Sequence, residues 1–118
     1  MTNSKQYDLE ERTFNFAKQV RDFVKSLPRT SANIEYSKQL IRSSGSIAAN
    51  YIEANESLSK KDFIMRVKIS KKEAKESKLW LRLIDVTDNY VLEEQRQKLI
   101  SEVEELMKIT GAILEKSK

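Results

Sequence analysis

Apolar side chains recur at steps of three and four residues along most of the chain, which is the spacing of a helix with one buried face. The first series begins beside Asp8 and Glu11, whose spacing resembles a capping box. It stops before Pro28, which disfavours helical backbone at the residue preceding it. This pattern predicts a first helix over about residues 8–26. Its apolar face is formed by Leu9, Thr13, Phe16, Ala17, Val20, Phe23, Val24 and Leu27.

Three further series predict helices over about residues 33–56, 60–86 and 92–116. The second helix has an apolar arc formed by Ile34, Leu40, Ile41, Ser44, Ile47, Ala48, Tyr51 and Ile52. The third carries a heptad seam formed by Phe63, Val67, Ser70, Ala74, Ser77, Leu81 and Ile84. The fourth repeats it with Leu92, Leu99, Val103, Leu106, Thr110 and Ile113. Ser59 or Ser57 has the chemistry of an N-cap for the third helix.

Short connections between four long helices of similar length predict an all-α protein, an antiparallel up-down-up-down four-helix bundle over residues 8–118. We expect residues 1–7 to form a disordered or frayed N-terminus. Two glycines and one proline interrupt the 118 residues, too few for the many reversals of an all-β chain.

The middle of the second helix consists largely of small residues, from Ser43 to Ala49, and the third helix is small at Ser70, Ala74 and Ser77. Small side chains allow two helix backbones to approach more closely than the usual distance of about 8–10 Å. We therefore expect the second and third helices to pack closely at their centres. The alternative is that these serines occupy poorly packed positions.

The third helix also carries a second apolar strip, well away from its heptad seam. It consists of Met65, Ile69, Trp80 and Leu83, and Phe14 on the first helix is similarly out of register with its own apolar face. One wall of a bundle needs only one apolar stripe, so the second strip predicts an interface between copies of the chain. The alternative is a wide core that takes in Trp80 at its edge.

Between these two apolar faces runs a basic strip, formed by Lys68, Lys71, Lys75, Lys78 and Arg82. The strip lies in a segment, residues 60–78, with eight basic and three acidic side chains, within a chain of net charge +4. Two interpretations are open. The strip binds nucleic-acid phosphates, or it is a solvated face balanced by the glutamates of residues 93–105 in the same or a neighbouring subunit.

The second helix collects a polar line opposite its apolar arc, formed by Glu35, Gln39, Arg42, Ser46, Asn50 and Glu53. Such a line is usually a surface or a satisfied polar network. Glu73 and Glu76 have the spacing of a di-iron motif without its histidine, and ion pairing with nearby basic residues is the simpler role. The chain has no His and no Cys, which removes the usual general base, zinc ligands and thiolate nucleophile. We predict no enzymatic activity, metal, cofactor or small-molecule substrate.

Two motifs resemble those of a known family. Arg-Ser-x-x-Ser-Ile-x-x-Asn-x-x-Glu on the second helix is filled by Arg42, Ser43, Ser46, Ile47, Asn50 and Glu53. Lys-Glu-Ala-x-Glu-x-x-x-Trp-Leu on the third is filled by Lys72, Glu73, Ala74, Glu76, Trp80 and Leu81. With these motifs the chain resembles, over residues 8–116, the four helix bundle proteins related to bacterial large-subunit rRNA intervening-sequence proteins. One departure is Ala54, where many members have glycine.

The resemblance implies an antiparallel four-helix bundle, often a homopentamer, whose gene is sometimes carried within inserted rRNA sequence. A similar bundle is an accessory protein of retroelement reverse transcriptases and is thought to engage nucleic acid. No catalytic residue is established for the family, so the resemblance transfers none.

We therefore predict a non-enzymatic homo-oligomer that binds RNA or another nucleic acid through the basic strip. The alternative is a structural or adaptor oligomer with a protein partner and no nucleic-acid binding. The absence of Cys, of an apolar leader segment and of any run of about 20 apolar residues predicts a cytoplasmic protein without membrane association.

Overall fold

The structure, a computed structural model, describes the backbone of residues 4–118 and the side chains of residues 9–118. Residues 4–118 form four helices: α1 (Ser4–Lys25), α2 (Ser31–Asn55), α3 (Lys60–Leu83) and α4 (Tyr90–Lys116). The frayed terminus predicted for residues 1–7 lies partly outside the described residues, and residues 4–7 belong to α1. Within the described residues, no helix is both long enough and apolar enough to cross a membrane.

Three of the helices begin at a polar cap. The side chains of Thr30, Ser59 and Asn89 each accept a hydrogen bond from the backbone N–H three residues further on, at the starts of α2, α3 and α4. Each cap satisfies one of the N–H groups that a helix start leaves without an intrahelical partner. Of the two predicted cap candidates for the third helix, Ser59 and Ser57, it is Ser59 that has this role.

α2 and α3 run in opposite directions. Along α2 and α3, Asn33 is paired with Asp85 near one end, and Asn50 is paired with Arg66 towards the other. Between α3 and α4, Lys78 is bonded to Glu104. α1 completes the bundle by packing against α2 and α4. The predicted all-α four-helix bundle is confirmed.

The predicted apolar faces account for most of the core. Fully buried side chains with large volumes are supplied by every helix, and they include Phe16, Val20, Leu40, Ile47, Val67, Leu81, Val103 and Leu106. The arc predicted for α2 is wrong at Ile41 and Ile52, which are exposed. The buried arc of α2 is centred on Leu40, Ile47 and Tyr51, and helical spacing turns Ile41 and Ile52 about 100–120° away from that centre.

α3 ends at Leu83, three residues before its predicted end. Ile84 has extended backbone, and Asp85 donates its backbone N–H to the side chain of Asn33 instead of continuing the helix. Ile84 and Val86 nevertheless remain buried. The heptad pattern therefore identified Ile84 as a core residue correctly, although it lies beyond the helix.

The small residues of α2 and α3 do face one another. The hydroxyls of Ser43 and Ser77 share a hydrogen bond of 2.7 Å, and the Ser70 hydroxyl donates to the backbone carbonyl of Ile47 at 2.9 Å. A serine side chain reaches a carbonyl of the neighbouring helix only where the two backbones are close. Gly45 has no part in this contact, because a Cβ atom added at Gly45 would meet no atom of the neighbouring helix.

Candidate nucleic-acid interface

The basic strip lies along the edge of α3 that faces α4. Lys68, Lys71, Lys75 and Arg82 are exposed, and Lys78 is half-buried. Concave surfaces beside the strip form a groove between α3 and α4, here called the α3–α4 groove. Its lining from α4 consists of Arg96, Gln97, Ile100, Glu104, Met107 and Lys108. The helical spacing thus brings all five predicted residues to one edge of the bundle.

One residue of the strip is neutralised within the chain. The Lys78 ammonium lies 2.8 Å from a carboxylate oxygen of Glu104. The hydrogen bond from Lys78, followed by the positive charge of Lys78, lowers the pKa of Glu104 below its ordinary value. Within residues 9–118, the other four side chains of the strip form no ion pair. Of these four, Lys71, Lys75 and Arg82 line the groove, which also has Glu76 and Glu104 in its lining.

Arg96 lines one end of the groove and was not among the predicted residues. Its guanidinium donates to the backbone carbonyls of Leu81 and Ile84, and it forms an ion pair with Glu93. Hydrogen bonds from Arg96 and then Gln97 lower the pKa of Glu93. Arg96 therefore satisfies carbonyls at the carboxyl end of α3, where a cation also interacts favourably with the helix dipole. Arg96 falls on the seam of α4, four residues after Leu92 and three before Leu99, but a search for apolar residues passes over it because its side chain is charged.

The polar line of α2 meets α3 at Arg42. The Arg42 guanidinium donates to Glu73 at 3.1 Å and to Glu76 at 2.5 Å, so one cation is shared by two carboxylates on successive turns of α3. The hydrogen bond to Glu73 is the largest cause of a raised pKa for Arg42. These side chains are partly exposed, and the contact lies on the rim of the α2–α3 packing. It links the two helices and leaves no unpaired group suited to acid–base chemistry.

A second polar contact lies further along the same edge. Asn50 accepts a hydrogen bond from Arg66 at 3.2 Å and donates to the backbone carbonyl and hydroxyl of Ser46. Glu53 is exposed, and its side chain has no hydrogen bond or ion pair to another described residue. Arg42 and Asn50 of the polar line thus join α2 to α3, whereas Glu35 pairs with Lys38 within α2 and Glu53 makes no side-chain contact of this kind to another described residue.

The apolar residues predicted for an interface fall into two groups. Phe14, Met65 and Leu83 are 55%, 47% and 44% exposed. Ile69 is half-buried, as is Trp80, which packs against the core and stacks on Tyr36 with ring centroids 5.9 Å apart. Trp80 therefore sits at the edge of the core, the position that the alternative interpretation gives it. Its buried indole N–H has no hydrogen-bond acceptor among the described residues.

Comparisons with known proteins agree with this architecture. The chain is similar to a solved structure from Bacteroides thetaiotaomicron, described as a protein of unknown function from the S23 ribosomal protein family. The two are 31% identical with a TM-score of 0.81, and the match covers 94% of this chain and 98% of that one. Comparison with curated proteins gives no match.

Family membership follows from a match that spans nearly the whole chain. The model of the 23S rRNA-intervening sequence protein family matches residues 5–112. Neither this description nor that of the bacterial structure names an enzymatic activity. The chain belongs to the 23S rRNA-intervening sequence protein family.

Proposed function

We propose that this protein is a non-enzymatic homo-oligomeric bundle that binds RNA through the basic strip of α3. The observation that carries the proposal is a row of four exposed cations without ion-pair partners in the described chain, on one edge of a rigid helix. From Lys68 to Arg82 the row is about 21 Å long, at a rise of about 1.5 Å per residue. Such a row is available to a polyanion.

Phosphates are suited to this row because lysine contacts displace condensed counterions from nucleic acid, and their release drives binding. RNA is the first nucleic acid to test, since the family description names an rRNA insertion. The ion pair between Lys78 and Glu104 favours the alternative, in which glutamates of the same chain neutralise the basic strip. One paired residue of five leaves the strip largely unbalanced.

We expect RNA binding that weakens steeply with salt. With four phosphate contacts, the slope of log K against log salt is about −3, a loss of roughly 50- to 150-fold between about 50 and 200 mM salt. The triple variant Lys68→Ala, Lys71→Ala, Lys75→Ala should bind at least about 20-fold more weakly at low salt, with a slope near −1. Fluorescence anisotropy with a labelled rRNA fragment measures both quantities.

The matched control is the variant Lys18→Ala, Lys25→Ala. Both lysines are exposed on α1, which does not pack against α3 in the described part of the chain. The control should bind RNA nearly as well as the native protein. Binding that is insensitive to salt, or equal in the triple variant and the native protein, would show that the strip does not bind RNA. Capture of a protein from nuclease-treated lysate, with no RNA binding, would favour the adaptor alternative.

The homo-oligomer is proposed from the exposed apolar side chains of α1 and α3, which a second copy would cover. Sedimentation equilibrium of the native chain at micromolar concentration should give a mass above 13.8 kDa. Met65→Glu with Leu83→Glu should dissociate the assembly, because truncating an interface anchor typically costs about 2 kcal/mol or more. Ile41→Glu with Ile52→Glu, equally exposed on α2, is the matched control and should leave the mass unchanged. A monomeric native chain would refute the proposal.

A further inference from the structure

Resting on the proposed function, we infer that the α3–α4 groove binds the phosphates of double-helical nucleic acid in preference to single strands, and that Glu104 holds the affinity down by pairing with Lys78. The first part rests on which side chains line the groove. The second rests on the Glu104 carboxylate, which lines the groove and pairs with Lys78. The first part names the ligand class of the groove, and the second names a residue that lowers its affinity.

The groove has no aromatic side chain among its described lining residues. Its lining consists of lysine, arginine, glutamate, glutamine and aliphatic side chains. Proteins that bind single strands stack bases on aromatic rings, and each stacked base contributes about 1–3 kcal/mol. Tyr90 is the exposed aromatic residue of α4, but it lies at the start of the helix and does not line the groove. A single strand would therefore find no aromatic ring here on which to stack its unpaired bases.

The geometry of the strip favours a stiff ligand. Its cations are separated by three or four residues, which corresponds to steps of about 4.5 and 6 Å along a straight helix. A duplex presents its phosphates in a fixed array, whereas a single strand must lose conformational freedom to match a rigid row. A duplex contact also releases more counterion, since the salt slope per contact is about 0.9 for a duplex and about 0.7 for a single strand. Contacts of this kind depend on neither base sequence nor sugar.

Glu104 opposes the binding of any polyanion. Its carboxylate lines the groove beside Lys71 and Lys108 as well as Lys78. It therefore repels an approaching phosphate and occupies the Lys78 ammonium at 2.8 Å. Glu104→Gln removes the negative charge with little change of volume and frees one cation. One additional duplex contact makes binding about 5- to 10-fold tighter at about 0.1 M salt and steepens the salt slope by about 0.9.

The experiment compares four labelled ligands by fluorescence anisotropy with the full chain: an unstructured single-stranded RNA of about 20 nucleotides, its duplex, a duplex RNA of unrelated sequence, and the corresponding DNA duplex. We expect each duplex to bind at least about 10-fold more tightly than the single strand, and the three duplexes to agree within about threefold. Glu104→Gln should tighten duplex binding as above. Glu94→Gln is the matched control, because it makes the same charge change on α4 at a carboxylate whose partner is Lys98, outside the groove.

The outcomes separate this inference from the proposed function. If single strand and duplex bind equally and the triple lysine variant weakens both, the duplex preference is overturned while RNA binding by the strip stands. A preference above about tenfold for duplex RNA over duplex DNA would overturn the independence of sugar type, because RNA differs from DNA in its 2′-hydroxyl and in its A-form helix. Equal effects of Glu104→Gln and Glu94→Gln would remove the role of Glu104. Absence of binding to all four ligands overturns the proposed function itself.

Discussion

Replacement of Asn33 by Ala is expected to lower the free energy of unfolding by about 3 kcal/mol. Asn33 is 2% exposed, and its amide nitrogen donates to the carbonyls of Pro28 at 3.0 Å and Asp85 at 2.8 Å. Its amide oxygen accepts from the Asp85 backbone N–H at 3.0 Å. One side chain thus joins the α1–α2 connection to the α3–α4 connection. Without it, three backbone groups at this end of the bundle lose their partners, and each such loss costs about 1–3 kcal/mol when water cannot replace it.

Urea denaturation followed by circular dichroism measures this loss. Asn89→Ala is a control, because Asn89 is an exposed N-cap whose loss costs about 1 kcal/mol. Asn33→Asp tests the two hydrogen bonds donated by the amide nitrogen separately from the one that the amide oxygen accepts. The variant keeps the oxygen that accepts from the Asp85 N–H, but it places a second oxygen, in place of the nitrogen, against the carbonyls of Pro28 and Asp85. A buried carboxylate in that setting has a raised pKa, so Asn33→Asp should regain stability as pH falls through that pKa. An Asn33→Ala variant no less stable than Asn89→Ala would contradict this role for the side chain.

Asn33 also shows what sequence reasoning could not reach. Its position near the start of α2 is typical of many polar residues, and Asp85, its main partner, is 52 residues away. Only the packing of the two connections against each other brings them together. Arg42 is similar: its helical line was predictable, but the pairing with Glu73 and Glu76 depends on the axial alignment of α2 with α3.

The core and the basic strip were predictable because each depends only on helical period. Leu81, Leu99 and Val103 fall on heptad seams and are buried. Helical period predicts the buried face less well where a helix buries small polar side chains. Ser43 and Ser44 of α2 are both buried, and the core face is centred away from Ile41 and Ile52. The ion pair between Lys78 and Glu104 depends on how α3 and α4 are aligned along their axes, which the sequence does not give. Neutralisation by glutamates of α4 was therefore only one of two interpretations.

The small side chains between α2 and α3 leave no room for a larger residue, so a larger side chain there should destabilise the bundle. Ser43, Ser70, Ala74 and Ser77 are all fully buried, and all three serines hydrogen-bond across the interface. A serine there serves two purposes, because it occupies little space and still supplies a polar contact. These two contributions can be separated at Ser77.

Ser77→Leu is expected to lower the free energy of unfolding by about 3 kcal/mol, since it combines overpacking of about 1–3 kcal/mol with loss of the hydrogen bond to Ser43. Ser77→Ala, which removes only the hydrogen bond, should cost about 1 kcal/mol. Adding Ser43→Ala to Ser77→Ala should cost little more, because no hydroxyl is then left without its partner across the interface. Urea denaturation of all three variants measures the series. If Ser77→Leu is no less stable than Ser77→Ala, the two helices have room to spare, and close packing does not explain the small residues.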